Sequence, residues 1–181
     1  MTLSIKKKIY NFANNLQKFP RSLTGKGNLE TLLSVKKIIN KLKIIEVPSG
    51  YKAYDWIVPD EWSYKEAYIL DKDKNKILDV KKNFLHLVNY STPINAKMSL
   101  SELKKHINTL PQRPNAIPYV TSYYKKNWGF CMSHNQASKL KKGTYTVHID
   151  SNFKKGKMIL GEYFIKGKSK KEIFLSSYIC H

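Results

Sequence analysis

Residues 172–181 read EIFLSSYICH. Ile173, Phe174, Leu175, Tyr178 and Ile179 make the run apolar on both faces. That is the pattern of a central strand in a sheet covered on both sides. The run closes on Cys180 and His181, with no Gly, Pro or charged cap after them. In open α/β sheets the functional groups collect at the carboxyl ends of central strands. His181 stands at such an end, and a neutral imidazole there can ligate zinc. The bland alternative is an exposed histidine with no ligand.

Working back from this run, KGKSKK (166–171) reads as a turn and KMILGEYFI (157–165) as a strand that feeds it. In TYTVHID (144–150), Tyr145, Val147 and Ile149 alternate as an apolar face. His148 and Asp150 therefore share the other face, where solvent is the simpler destination than a metal. The segment MSLSELKKHINTL (98–110) is a helix that opens on a capping box, Ser99 with Glu102 three residues on. PQRPNAIP (111–118) holds three prolines and is loop. Between Tyr51 and Asp150 short strand-like runs alternate with turns. The first fifty residues differ. Residues 4–18 read as a helix with Ile5, Ile9, Phe12, Leu16 and Phe19 along one side. Asn28 caps a second helix from Leu29 to about Leu42, and KIIEVPSG (43–50) is a short strand running into a turn. A middle unlike both flanks predicts an inserted domain in a mixed α/β chain.

Composition narrows the function classes. The 181 residues are 41% apolar, enough for a real core, and no run reaches the length of a bilayer span. The amphipathic start is spaced like a helix and lacks the continuous apolar stretch of a signal peptide. These features predict a cytoplasmic protein with no membrane partner. Cys131 and Cys180 then read as free thiols. The net charge of +20 invites a nucleic-acid reading. Yet 31 of the 33 basic residues are Lys, with only Arg21 and Arg113 offering bidentate forks, and the lysines run along the whole chain. Biased codon usage gives such a composition without function, so the expectation is weak, salt-sensitive and non-specific nucleic-acid binding.

Other residues have chemistry to offer. Cys131 and His134 are spaced to share a metal, although a buried thiol beside a hydrogen-bonded histidine is the simpler reading. His106 is expected on the surface of the helix from Ser99, and His86 is ambiguous. Tyr119, Tyr123, Tyr124, Trp128 and Phe130 form a dense aromatic group. Such groups usually belong to cores, but a sugar or peptide can stack on one, and Lys125–Lys126 beside it suits an anionic ligand.

The stretch GEYFIKGKSKKEIFLSSYICH (161–181) resembles the strand, turn and strand that lead to the first metal ligand of bacterial two-zinc aminopeptidases. VPDEWSYKEAYILD, LHLVNYSTPIN, LPQRPNAIPYVTSYYKKNWGFCMSHNQ and GTYTVHIDS resemble one subfamily more closely. Its members are bacterial proteins with an aminopeptidase-like domain, often labelled as domains of unknown function or linked to polysaccharide biosynthesis. The resemblance runs from about Leu23 to His181. It implies an αβα zinc-aminopeptidase-like domain (1–49 and 144–181) interrupted by a β-rich insert (50–143). It makes His181 the first zinc ligand and a peptide or amide the substrate. Family chains continue past this histidine to an acidic bridging ligand, the remaining ligands and a general-base carboxylate. The chain is therefore expected to be the N-terminal portion of a zinc exopeptidase, with an incomplete metal site and no activity of its own. A catalytic zinc needs about three protein ligands. The alternative is a binding module whose insert recognises a peptide, glycan or partner through Tyr123, Tyr124, Trp128 and His134.

Overall fold

A computed structural model describes residues 2–179, with side chains from Ser4 onward. Cys180 and His181 lie outside the described residues. In chain order the elements are α1 (Thr2–Leu16), α2 (Lys26–Lys36), β1 (Lys43–Pro48), β2 (Lys52–Ala53), β3 (Trp56–Ile57), β4 (Glu61–Leu70) and β5 (Lys76–Asp79). A 3-10 turn, Phe84–His86, follows. Then come β6 (Ile94–Ser99), α3 (Leu100–Lys104), β7 (Ile107–Asn108), β8 (Phe130–Cys131), α4 (His134–Ala137), β9 (Thr144–Lys154) and β10 (Lys157–Glu162). None of the described helices is long and apolar enough to cross a membrane.

The chain divides into two compact units. One is discontinuous, Met1–Glu61 with Lys154–His181, and the other is Trp62–Phe153. The edges expected at 50 and 143 thus fall at 61 and 154, for two reasons. The β2–β3 hairpin is bonded back to the flank: Gly50 N donates to Val58 O at 2.8 Å, and Ser49 N to Gly156 O at 3.0 Å. At the other edge β9, expected in the flanking part, pairs antiparallel with β6, with Ile94 opposite Ile149 and Ser99 opposite Thr144.

In the discontinuous unit β1 pairs antiparallel with β10, so that residues 43–48 and 157–162 meet in one two-stranded sheet. The α2 helix lies against β10. A Cβ built on Gly161 would come within 2.7 Å of Leu32 Cδ2 and 3.5 Å of Leu42 Cδ1, so the missing side chain is what lets both leucines settle there. α2 starts earlier than the sequence suggests. Its N-cap is Gly25 with φ 98°, and Asn28 sits inside the first turn, its Nδ2 donating to Ser22 O instead of capping. Left-handed backbone favours glycine, which explains why the break falls at Gly25. Gly27 is fixed by closeness, since a Cβ there would lie 2.0 Å from Pro20 O.

The reading of residues 172–179 as a buried central strand is not what the structure shows. Residues 171–179 have no regular secondary structure, and Ile173, Phe174, Leu175 and Tyr178 are 88–91% exposed. A strand exists only with a hydrogen-bonded neighbour, and none of the described strands pairs with this run.

The second unit is better filled. Its sheet runs β5-β4-β9-β6. Ala67 and Ile69 on β4 and Tyr145, Val147 and Ile149 on β9 are buried at every second position, and Trp62 near the start of β4 is buried as well. Leu78, Val80, Leu87, Val88, Tyr90, Leu103, Phe130, Cys131 and Met132 complete that core. The capping box opens α3 as its sequence predicts: Ser99 Oγ accepts from Glu102 N, and Glu102 Oε2 accepts from Ser99 N at 2.9 Å.

Candidate functional site

The aromatic group of the sequence lies on the long loop between β7 and β8, so what holds that loop decides what the rings can do. Three short prolyl segments stiffen its first half. Its second half is laced to residues 88–92. Asn89 N donates to Val120 O at 3.0 Å, Ser122 N to Asn89 O at 2.9 Å, Thr92 N to Asn127 O at 2.9 Å, and Val88 N to Gly129 O at 3.1 Å. Ser91 stands at the centre of this lacing. It is fully buried, its Oγ donates to Val88 O at 2.6 Å, and it accepts from Gly129 N at 3.2 Å. Its carbonyl receives Trp62 Nε1 at 3.0 Å and Ser151 Oγ at 2.7 Å.

The rings follow from that frame. Tyr90, with φ 66°, is buried and stacks on Trp62 with centroids 5.7 Å apart. Left-handed backbone is unusual for a bulky residue. Here the aromatic packing and the bonds of Asn89 and Ser91 on either side hold it. Tyr123 presents its edge to Tyr90 at 5.9 Å and lies 4.2 Å from Tyr124. Tyr124 is 78% exposed, and exposed Lys125 and Lys126 follow it on the same turn. Trp128 is half-buried and lies face to face with His106 at 3.7 Å and 10°. The structure thus brings Tyr123 and Tyr124 together at a surface and sends Trp128 into packing.

His134 is placed elsewhere. It opens α4, where Ser133 caps the helix, and its Nδ1 lies 3.4 Å from Thr109 Oγ1. Its neighbour Asn135 is tied to Asn115 at 2.7 Å and to Pro114 O at 3.0 Å. His106, expected on a helix surface, comes just after α3. Its ring is clamped by Trp128, and its Nδ1 donates to Trp128 O at 3.1 Å. A carbonyl only accepts, so that nitrogen carries the proton. The same logic fixes His86, which is buried with Nδ1 2.8 Å from Cys131 O. Nothing in the sequence marked the His106–Trp128 stack or the Ser91 hub, because each joins residues 22 to 60 positions apart.

No nucleophile emerges from this set. Cys131 is buried, and burial raises its thiol to about 12 against a hydrogen bond from the backbone of Val120 that lowers it. The His148–Asp150 pair faces away from the core as its alternation predicts, but it meets other residues before solvent. His148 stacks on Tyr68 at 4.9 Å and lies 3.5 Å from Glu66, while Asp150 pairs with Lys65 at 3.9 Å. Among the described residues no group of three or more His, Cys, Asp or Glu side chains is placed to hold a metal. The described residues supply no three-ligand set for a catalytic zinc, and His181, the ligand expected from the sequence, lies outside them.

The family described as Domain of unknown function (DUF2172) matches residues 61–152, essentially the second unit. The chain is 43% identical over 173 residues to a protein from Clostridium acetobutylicum named "Putative polysaccharide biosynthesis protein with aminopeptidase-like domain". That match covers 96% of this chain and 40% of the relative. A crystal structure of a protein from the same organism, described as a "putative peptidase", superimposes with a TM-score of 0.83 at 42% identity. It covers 91% of this chain and 39% of the other. The chain therefore spans about two fifths of the length of the relatives it matches.

Proposed function

Since the chain belongs to the DUF2172 family through residues 61–152, and shares its fold with a protein described as a "putative peptidase", we propose that it is the N-terminal portion of an aminopeptidase-like hydrolase. The complete protein would remove residues from a peptide or cleave a related amide, using zinc to polarise the carbonyl and activate water. His181 is the first ligand of that site, and the other ligands come from polypeptide beyond it. The observation that carries the reading is the 43% identity maintained over 96% of the chain to a relative named for an aminopeptidase-like domain. A cytoplasmic location is part of the same proposal, on the free thiol of buried Cys131, and we assign the protein no specific nucleic-acid partner.

The test is a pair of zinc titrations by calorimetry, on this chain and on the complete relative. The chain alone is expected to bind no stoichiometric zinc and to leave aminoacyl amides intact. The complete relative is expected to bind it and to hydrolyse them with zinc or cobalt. A complete relative that bound no metal and cleaved no amide would sink the peptidase reading. A second reading, a non-catalytic module for a peptide, glycan or partner, is favoured by Tyr124, exposed beside Tyr123 and two lysines on a loop that its backbone bonds hold rigid.

A further inference from the structure

The second unit has a core of its own, so its exposed apolar side chains are not the remainder of an unfinished interior. Among the described residues it exposes three large ones, Tyr119, Tyr124 and Phe153. All three adjoin Asn89 and Tyr90. Asn89 Nδ2 donates to the Tyr119 hydroxyl at 3.1 Å, the Phe153 ring lies 6.2 Å from that of Tyr90, and Tyr124 reaches Tyr90 through Tyr123. Tyr90 is held at φ 66°. For a bulky residue that conformation is strained, it persists only where the surroundings over-determine it, and such strain collects at ligand sites. Here it stands at the root of the ring pair that reaches solvent. The backbone around it is spent internally: residue 89 is bridged to 121 and residue 91 to 127, and no edge is left for a peptide strand to join. The surface offers the Tyr124 ring, the amide and hydroxyl of Asn89 and Tyr119, and the ammonium groups of exposed Lys125 and Lys126.

On the second reading above, that of a binding module, we propose that this surface binds an acidic saccharide, a chain of pyranose rings that carry carboxylates. The face of a pyranose is a set of C–H bonds, and the negative face of an aromatic ring attracts them. Its hydroxyls need polar partners at the rim, which Asn89 and Tyr119 supply. Its carboxylates meet Lys125 and Lys126, whose compact charges sit on flexible stems and accept many approach directions. A neutral sugar would leave both lysines unused. Single-stranded nucleic acid also stacks, but its grooves combine successive aromatic platforms with arginine. In this unit Tyr123 and Tyr124 are inclined by 41°, so their rings do not form parallel platforms, and its one arginine, Arg113, lies outside this turn.

The full 181-residue chain is to be titrated by calorimetry with a hexamer of galacturonate, with neutral cellohexaose, with a thymidylate hexamer and with a glutamate hexamer. The galacturonate is expected to bind saturably and to weaken as salt is raised. The other three should bind at least about tenfold more weakly. Tyr124→Ala should weaken the galacturonate by at least about tenfold, while Tyr124→Phe keeps it within about threefold. The double variant Lys125→Gln, Lys126→Gln should lose the preference over cellohexaose. The folding of each variant is checked by the continued protection of the Cys131 thiol. No saturable binding of the galacturonate overturns the proposal, as does equal binding of the glutamate hexamer or indifference to Tyr124→Ala. A preference for cellohexaose or thymidylate that depends on Tyr124 overturns the acidic sugar and leaves the module standing. No Tyr124-dependent binding of any of the four overturns both.

Discussion

Ser91 is buried where three segments meet, residues 62, 129 and 151 in addition to its own, and each contact is a hydrogen bond. Its hydroxyl accepts from Gly129 N, a backbone donor buried with it. Replacing Ser91 with Ala removes the acceptor and leaves that N–H without its partner. The cost of a buried donor left unpaired is about 1–3 kcal/mol, and urea unfolding of Ser91→Ala should show it as a shift in midpoint at unchanged slope. A loss below about 0.5 kcal/mol would mean that Gly129 finds another acceptor. Cys131 offers an independent reading of the same core. With the thiol at about 12, only about one molecule in ten thousand carries the thiolate at pH 8. In a Cys180→Ser background Cys131 should therefore resist a disulfide reagent until the protein is unfolded. It should become accessible at lower urea in Ser91→Ala. Rapid native labelling would contradict both the burial and the raised thiol.

At the scale of elements, β5 shows how an ending is made. Asp79 is its last residue and is buried. Burial raises its carboxyl, but the backbone N–H of Lys81 at 3.0 Å and the Lys76 ammonium at 3.0 Å outweigh it and hold it below its ordinary range. A depressed carboxyl contributes stability that is present above its unfolded value, about 3.9. That stability is lost as pH falls through the lower folded value. Asp79→Asn should thus cost about 1–2 kcal/mol at pH 7. The difference from the wild type should shrink as pH falls below the unfolded value and through the lower folded one, as read by thermal unfolding across that range. A pH-independent difference would assign the loss to packing alone. Features of this local kind were legible in the sequence. Ser99 and Glu102 announce α3 because the capping box is complete within four residues, and Tyr145, Val147 and Ile149 announce the buried face of β9 because a strand repeats every two. Asn28 misled because the cap position was taken by a glycine, whose left-handed backbone leaves no side-chain trace. The run 172–179 misled because two-sided apolarity reports a strand's need for neighbours and says nothing of whether they are present. His106 and Trp128 were unreadable as a pair, since their stack depends on how a long loop returns to β8.

For the whole molecule, the inequality between the units decides what each can do alone. Of the eighteen apolar residues buried among the described residues, fifteen lie between Trp62 and Phe153, together with the four-stranded sheet and the Ser91 lacing. The discontinuous unit has two two-stranded sheets, β1–β10 and β2–β3, with α2 against β10, and two strands are marginal in water without more to cover them. The part of the chain with the self-sufficient core is thus also the part that the family matches, over residues 61–152. An inserted unit whose own ends, on β4 and β9, are neighbours in one sheet can be cut out without opening its core. Residues 61–154 expressed alone should therefore unfold in a single cooperative transition. Its unfolding free energy should lie within about 1 kcal/mol of that of the same unit in the full chain, with Cys131 still protected in the native state. Circular dichroism and thiol labelling along one urea series measure both. A broad transition, or a thiol exposed at the start, would show that the second unit draws on the first for its stability, and the idea of a module carried within a larger hydrolase would have to be given up.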